Sequence, residues 1–236
     1  NFMKNHKLDV SLNNLKYSIT LCYGEVAKEL LDFKVLEKFV KTDTDGYGTL
    51  VRWIINIFQN TSSPLHLIRA TINTTYLLAK AIHSIPHNVI LQDRWKLLNL
   101  VLDQMLDNNP TLATIQLFPE IINATATLAL LPKYLLPEER NAILKIIFSK
   151  SFNSINFLDS KDGPKQFSED EFNKILTDIQ NSLDSLVREF IMQSTCPSTL
   201  DDILSMLDEW INHDCRHIRL AAIKSIQTAL VSFIKN

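Results

Sequence analysis

The chain has 236 residues, of which 46% are hydrophobic, so it can form a sizeable core and is not disordered along its length. Its 24 basic and 26 acidic residues give a net charge of −2, which excludes a strong overall attraction to nucleic acid or to an anionic membrane. Only four glycines are present, too few for folds that depend on glycine-rich phosphate loops and sharp turns.

Cysteine usage and hydropathy indicate the compartment. Cys22, Cys196 and Cys215 are far apart and odd in number, which favours a reducing environment over a disulfide framework. No apolar run approaches the roughly 18 residues of a membrane span, and the N-terminal residues do not resemble a signal peptide. We therefore expect a cytoplasmic protein that does not insert into membranes. Because the sequence starts without methionine and stops just after a predicted helix, we also expect it to be a segment of a longer chain.

Apolar residues recur at helical spacing along nearly the whole chain, and no segment sustains the two-residue period of a strand. Boundary signals agree with this pattern. Pro64 and Pro137 suit the first turn of a helix, and Ser168 with Glu171 has the spacing of a capping box. The sequence predicts an all-α protein with helices over residues 11–31, 33–40, 50–59, 64–83, 89–107, 111–131, 137–148, 169–193, 200–212 and 216–234.

Pairing neighbouring predicted helices gives about five antiparallel hairpins of near 40 residues each, the length of a HEAT-type repeat. The pairs Arg52-Trp53 and Arg94-Trp95 are offset by 94 − 52 = 42 residues, which fits the same period. We therefore predict an α-solenoid of stacked hairpins, HEAT- or armadillo-like, that continues over residues 1–236.

One segment interrupts this spacing. Residues 149–167 include Gly163-Pro164, the only Gly-Pro pair of the chain. The sequence predicts an exposed insertion between two helices over this range.

Residues 199–236 form the best-defined predicted hairpin. At its turn, Asp214 is placed to accept the first backbone N–H groups of the second helix. Ile218 and Ala222 lie on one face of that helix, where the small alanine permits close packing. Arg219 is expected to pair with an acidic residue of the turn or of the adjacent hairpin. The order D-x-x-x-[VI]-R-x-x-A is that of the inner helix of a HEAT-type repeat.

Trp210 occupies the first helix of the same hairpin. It lies on one apolar stripe with Ile203, Met206 and Leu207. We therefore predict that its indole is packed between stacked helices.

Three stretches of the C-terminal half carry a resemblance to a known family. They are Leu130-Leu131-Pro132 followed by Leu136-Pro137-Glu138-Glu139, the stretch Ser182-Leu183-Asp184-Ser185-Leu186, and Leu207-x-x-Trp210-Ile211 followed by His217-x-Arg219-x-Ala221. Over residues 109–236 these motifs are similar to the C-terminal region of the Maestro heat-like repeat family, with Ile218 in place of a usual glutamate. The resemblance implies an α-solenoid within a large, mostly cytoplasmic scaffold, and it implies no catalytic residues.

His213, Cys215 and His217 are the candidate metal ligands. The two histidines are four residues apart, but the predicted helix end at His213 separates them, and no distant acidic ligand is evident to complete a tetrahedral set. Cys215 next to Arg216 and Arg219 could be an activated thiolate, but no base or glycine-rich cradle accompanies it. We therefore predict no metal, no cofactor and no catalytic residue.

Asp43-Thr44-Asp45-Gly46 has the order of the centre of a calcium-binding loop. In that register, Lys41 and Arg52 fall where the first and last acidic ligands belong, so the sequence predicts an ordinary turn.

Together these features predict a non-enzymatic scaffold or adaptor that binds proteins and not nucleic acid. The alternative is an importin- or adaptor-type transport module that binds peptide segments on a concave face.

Overall fold

The computed structural model describes residues 2–29, 49–84, 90–91, 93–106, 111–132, 135–160, 168–194 and 196–235. Within these ranges the backbone forms helices joined by turns and loops, and no residue is in a strand. The all-α class that the periodicity predicts is confirmed for this part of the chain.

The helices are labelled in chain order. They are α1 (Phe2–Glu29), α2 (Thr49–Gln59), α3 (Leu65–Ser84), α4 (Arg94–Asp103), α5 (Leu112–Ile115), α6 (Phe118–Ala129), α7 (Pro137–Asp159), α8 (Glu169–Gln193), α9 (Pro197–Ile211) and α10 (Arg216–Lys235). They form two compact units. The first comprises Asn1–Asp103 together with Thr127–Lys133, and the second comprises Gln104–Ala126 together with Tyr134–Asn236. The expectation of one continuous solenoid over residues 1–236 stays a prediction.

In the first unit, α3 packs against α1 and α2, and α2 also contacts α4. The indole Nε1 of Trp53 on α2 donates a hydrogen bond of 3.0 Å to the hydroxyl of Thr20 on α1. Gly24 marks a close approach of α1 to α3, since an added Cβ would lie 3.0 Å from the hydroxyl oxygen of Thr74. That hydroxyl already donates to the backbone carbonyl of Thr20 at 2.9 Å. The missing side chain at Gly24 thus leaves room for this contact.

In the second unit, α7 contacts α8, α9 and α10, while α10 also contacts both α8 and α9. The helix directions follow from residue pairs. Arg140 near the start of α7 lies 3.5 Å from the hydroxyl of Thr199 near the start of α9. Further along both helices, the rings of Phe152 and Trp210 lie 5.1 Å apart. Helices α7 and α9 therefore run in the same direction.

Helices α8 and α10 are aligned in the same way. Asn173 and His217, near the two helix starts, line one cavity, and Met192 and Lys235, near the two ends, line another. Midway along, the side-chain amide of Gln180 lies 3.4 Å from the hydroxyl of Ser225. The second unit thus holds two helix pairs, α7 with α8 and α9 with α10, whose equivalent helices are parallel neighbours.

Two predicted helix starts are confirmed. Pro137 is in the first turn of α7. Ser168 caps α8, because its hydroxyl accepts from the N–H of Glu171 at 3.2 Å, while a Glu171 carboxylate oxygen accepts from the N–H of Ser168 at 3.1 Å. This reciprocal pair satisfies two of the otherwise unpaired N–H groups at the start of the helix.

The continuous helix predicted over 111–131 is wrong, since α5 ends at Ile115 and α6 begins at Phe118. The break has a clear cause at Pro119, in the first turn of α6. Proline lacks an N–H, and within a continuous helix its ring would clash with the carbonyl four residues earlier, at Ile115. Pro119 is compatible with a helix start and not with a helix interior.

The insertion predicted over 149–167 is wrong for its first part, because α7 continues to Asp159. Phe152, Ile155 and Leu158 in this stretch are buried at helical spacing, so the apolar face of α7 extends through it. Three predicted segments lie outside the described residues. They are the rest of the insertion at 161–167, the helix over 33–40 and the turn at 43–46.

Candidate functional site

Trp210 is packed as the sequence predicts, with only 9% of its surface exposed. Its ring lies 5.1 Å from that of Phe152 on α7 and 5.9 Å from the imidazole of His213. Ile218 and Ala222 are fully buried on the face of α10 that points into the second unit. These three residues of the predicted repeat motif stabilise the helix packing and leave no reactive group exposed.

Arg219 makes a different contact from the one predicted. Its guanidinium Nη1 donates hydrogen bonds of 2.7 Å to the backbone carbonyls of His213 and Asp214, and it pairs with no carboxylate of the described residues. Both carbonyls belong to the turn between the end of α9 at Ile211 and the start of α10 at Arg216, and the guanidinium supplies a hydrogen-bond donor to each of them. Arg219, which belongs to α10, therefore stabilises the turn between α9 and α10.

Asp214 takes part in that turn through its backbone. The Asp214 carbonyl accepts the hydrogen bond from Arg219. Within the described residues, the Asp214 carboxylate does not cap α10. The N–H of Cys215 instead donates to the Nδ1 atom of His213 at 3.1 Å. His213 therefore stabilises the turn between α9 and α10 by accepting this hydrogen bond.

A different set of three side chains meets beside the start of α10. Asp159 is the last residue of α7, Cys215 directly precedes α10, and His217 lies in the first turn of α10. The Cys215 thiol donates to Asp159 Oδ2 at 3.3 Å, and His217 Nδ1 lies 3.4 Å from Asp159 Oδ1. One ligand-type atom from each residue lies within 4.8 Å of the other two. We call this set the Asp159–Cys215–His217 cluster.

The surroundings of the two C-terminal cysteines shift the pKa values of their thiols in opposite directions. Burial raises the pKa of the Cys215 thiol above its ordinary value, and its hydrogen bond to the Asp159 carboxylate adds to the rise. The Ser198 hydroxyl, 2.9 Å from the sulfur of Cys196, has the opposite effect and lowers the pKa of that exposed thiol. These opposite shifts favour the thiolate form at Cys196 over that at Cys215.

Sequence reasoning finds two members of this cluster and misses the third. Asp159 is 56 residues away from Cys215 in the chain. It also falls within the stretch predicted to be an exposed insertion. The buried spacing of Phe152, Ile155 and Leu158 is the signal that could have extended α7 to Asp159.

A groove runs between α8 and α10. Its largest part has a volume of about 700 Å³ and carries Arg188, Lys224 and Lys235. Asp184 is the acidic residue of its lining, and Met192 and Val231 are apolar. Towards the helix starts, a second cavity of about 320 Å³ is lined in part by Leu220 and His217 and shares Lys224 with the first. We call the whole feature the α8–α10 groove.

The surface of α10 beside the groove is unusually apolar. Leu220, Ile223, Leu230 and Val231 are each between 40% and 49% exposed, and Ile234 is 81% exposed. At 3.6 residues per turn these side chains fall on one side of the helix. Contiguous exposed apolar surface of this kind is typical of a binding site.

Comparisons with protein-family models, with curated proteins and with solved structures give no match. Among the helices of the described residues, none has both the length and the apolar character that crossing a bilayer requires.

Proposed function

We propose that this chain is a non-enzymatic segment of a HEAT-like scaffold or adaptor, similar to the Maestro heat-like repeat family, acting in the cytoplasm. We further propose that it binds an acidic, amphipathic protein segment in the α8–α10 groove. The observation that carries the proposal is this groove, which lies between parallel helices and combines an apolar floor with exposed cations.

Support for stacked repeats comes from the second unit. In a stack of helical hairpins, the first helices of successive hairpins lie side by side and parallel, and so do the second helices. The pairs Arg140 with Thr199 and Phe152 with Trp210 give α7 and α9 this relation. The cavity linings at both ends give α8 and α10 the same relation.

The charged side chains that line the α8–α10 groove support an acidic partner. Arg188, Lys224 and Lys235 are exposed, and within the described residues none of them forms an ion pair. Asp184, the acidic residue of the lining, already accepts a hydrogen bond of 2.7 Å from the Gln180 amide. With three cations and one carboxylate, the lining has a net positive charge, which favours carboxylates in a partner.

Support for an amphipathic partner comes from the apolar side chains between those cations. Leu220 and Val231 line the groove and are 46% and 49% exposed. A helix whose apolar residues recur at i, i+4 and i+7 could cover them while its acidic residues meet the cations. Such a partner removes apolar surface from water and pairs the charges at the rim.

Three synthetic helical peptides of about 20 residues, roughly the 30 Å length of α10, test the proposal. They share one apolar stripe and carry glutamate, serine or lysine at the other positions. Fluorescence anisotropy at low salt should show the acidic peptide binding at least about tenfold more tightly than the neutral one, and the basic peptide binding weakest. Added salt should reduce the difference, because it screens exposed charges.

Charge reversal provides the matched control. Replacing Arg188, Lys224 and Lys235 with glutamate should abolish the preference for the acidic peptide. The same change in net charge made at Lys16, Lys80 and Lys96, which belong to the first unit, should preserve it. A preference that survives the groove reversal would contradict the proposal. Tighter binding of single-stranded RNA than of the acidic peptide would also contradict it.

The alternative is a transport module that binds peptide segments on the inner helices of a solenoid. The groove between parallel α8 and α10 is the observation that would suit it. Such a module would be expected to prefer the basic peptide of the panel, so the same experiment separates the two functions. Concentration-dependent dimers that are lost when Ile234 is replaced with serine would instead identify a second copy of the chain as the occupant.

A further inference from the structure

The Asp159–Cys215–His217 cluster combines a thiol, an imidazole and a carboxylate on two helices. Asp159 comes from the end of α7, while the other two residues come from the start of α10. These are the three side-chain types that bind zinc in proteins, and their combination with sulfur disfavours calcium and magnesium. The sequence prediction of no metal was based on the helix end that separates His213 from His217 and on the lack of a C-x-x-C pair or a distant acidic ligand; the structure places Asp159 as an acidic neighbour of Cys215 and His217.

Two of the three distances between the cluster residues are close to those in a tetrahedral zinc site. With Zn–S near 2.3 Å and Zn–N or Zn–O near 2.0–2.1 Å, neighbouring ligand atoms of a tetrahedron are about 3.3–3.6 Å apart. The observed separations are 3.3 Å between Cys215 Sγ and Asp159 Oδ2 and 3.4 Å between His217 Nδ1 and Asp159 Oδ1. These two distances end on different oxygens of the carboxylate, and the three ligand atoms lie within 4.8 Å of one another, so side-chain rotation would be needed to bring them around one ion.

The imidazole of His217 has a nitrogen at this position that no described residue pairs. Its Nδ1 atom is shielded from solvent and has no hydrogen-bond partner among the described residues, although it lies 3.4 Å from the carboxylate. The edge contact with the Phe172 ring, at 5.2 Å between centroids, limits how the imidazole can turn. A buried nitrogen without a hydrogen bond needs an explanation, and a bound cation would satisfy it.

We propose that Asp159, Cys215 and His217 bind one Zn²⁺ ion, with water or a partner's side chain as the fourth ligand. On binding, the Cys215 thiol gives up its proton to solvent and forms a sulfur–zinc bond, while neutral His217 and ionised Asp159 each donate an electron pair. Two negative ligands then balance the two positive charges of the ion. The ion would hold the end of α7 to the start of α10, beside the α8–α10 groove that His217 also lines.

Cobalt provides a direct spectroscopic test on the unmodified chain, because Co²⁺ occupies similar tetrahedral sites and reports sulfur ligation by absorption. The chain is first treated with chelator, and then Co²⁺ is titrated and displaced by Zn²⁺. We expect one equivalent to produce a thiolate-to-cobalt charge-transfer band that zinc removes. Zinc should also raise the melting temperature, since it binds the folded state preferentially. Absence of the band in the folded chain would overturn the proposal.

Variants identify the ligands. Cys215→Ser should abolish the charge-transfer band, and His217→Gln and Asp159→Asn should each weaken zinc binding by more than about tenfold. Cys22→Ser and Cys196→Ser are the matched controls, since both thiols are exposed and outside the cluster, and both variants should bind as the original chain does. Circular dichroism checks that each variant is folded. A band that persists in Cys215→Ser, or disappears in either control, would place the metal elsewhere and contradict the proposal.

Discussion

Replacing Trp210 with alanine should reduce the stability of the second unit more than most single changes. The indole is 9% exposed and packs on Phe152 across the contact between α7 and α9. Truncation therefore removes a large buried side chain and an aromatic contact at once. If stacked helix pairs form the core, this position is one of the main contacts between the pairs.

The expected magnitude follows from the buried surface. A buried aromatic side chain removes about 150–250 Å² from water, which at about 25 cal/mol per Å² corresponds to roughly 4–6 kcal/mol. Measured truncations of buried phenylalanine or tryptophan to alanine cost about 3–5 kcal/mol. A cavity of about 340 Å³ already adjoins Trp210, lined in part by Lys145 and Met206, whose flexible side chains can move into the freed space. We therefore expect a loss of about 3 kcal/mol.

Urea denaturation followed by circular dichroism measures this loss. Trp95→Ala is the comparison, because Trp95 is 40% exposed against 9% for Trp210, and it should therefore cost clearly less than Trp210→Ala. A loss below about 1 kcal/mol for Trp210→Ala would show that the indole does not support the packing of α7 on α9. Equal losses for the two tryptophans would also refute the reasoning.

Two further predictions concern the turn and the thiols. Arg219→Ala should lower the free energy of unfolding by about 1.5–3 kcal/mol in urea titrations, because it removes two charged hydrogen bonds of 2.7 Å to backbone carbonyls. Iodoacetamide at pH 7.5 should alkylate Cys196 faster than Cys215 in metal-free protein, as followed by peptide mass spectrometry. The lowered pKa of Cys196 leaves more reactive thiolate at a given pH, and the raised pKa of Cys215 leaves less.

Each of these predictions has an internal check. Arg219→Lys should recover part of the stability lost in Arg219→Ala, since one ammonium can still reach a carbonyl, and an unchanged stability in Arg219→Ala would contradict the capping role. Asp159→Asn removes the carboxylate that helps to raise the pKa of Cys215, so alkylation at Cys215 should become faster. An alkylation rate at Cys215 that exceeds the rate at Cys196 in the original chain would contradict the assignment.

Local signals in the sequence are sufficient for the helical class and for several helix starts. The capping box of Ser168 with Glu171 and the first-turn position of Pro137 depend on residues within one helical turn, so both can be predicted from the sequence. The burial of Trp210 follows from an apolar stripe on its own helix. Each of these features is determined by neighbours in the chain.

Features that depend on distant residues could not be predicted in the same way. The Arg219 guanidinium bonds backbone carbonyls, which every residue has, so no side-chain pattern indicates its partner. Asp159 contacts Cys215 and His217 because α7 packs against α10, although Asp159 and Cys215 are 56 residues apart in the chain. Pro119 is the exception, because the break it causes could have been predicted from the sequence alone.

The parallel alignment of α8 with α10 is the central structural claim, and pulsed electron paramagnetic resonance tests it directly. Spin labels are attached in pairs to cysteines introduced at Thr177, Arg188, Lys224 and Lys235, in a chain whose native cysteines are serine. In the structure Thr177 lines the groove with Lys224, and Arg188 lines it with Lys235. Both of those pairs should give short distances, and the distance for Thr177 with Lys235 should be clearly longer, because the 11 residues between Lys224 and Lys235 rise about 16 Å along the helix axis at 1.5 Å per residue. A shorter distance for Thr177 with Lys235 than for Thr177 with Lys224 would contradict the stacked arrangement and the groove that depends on it.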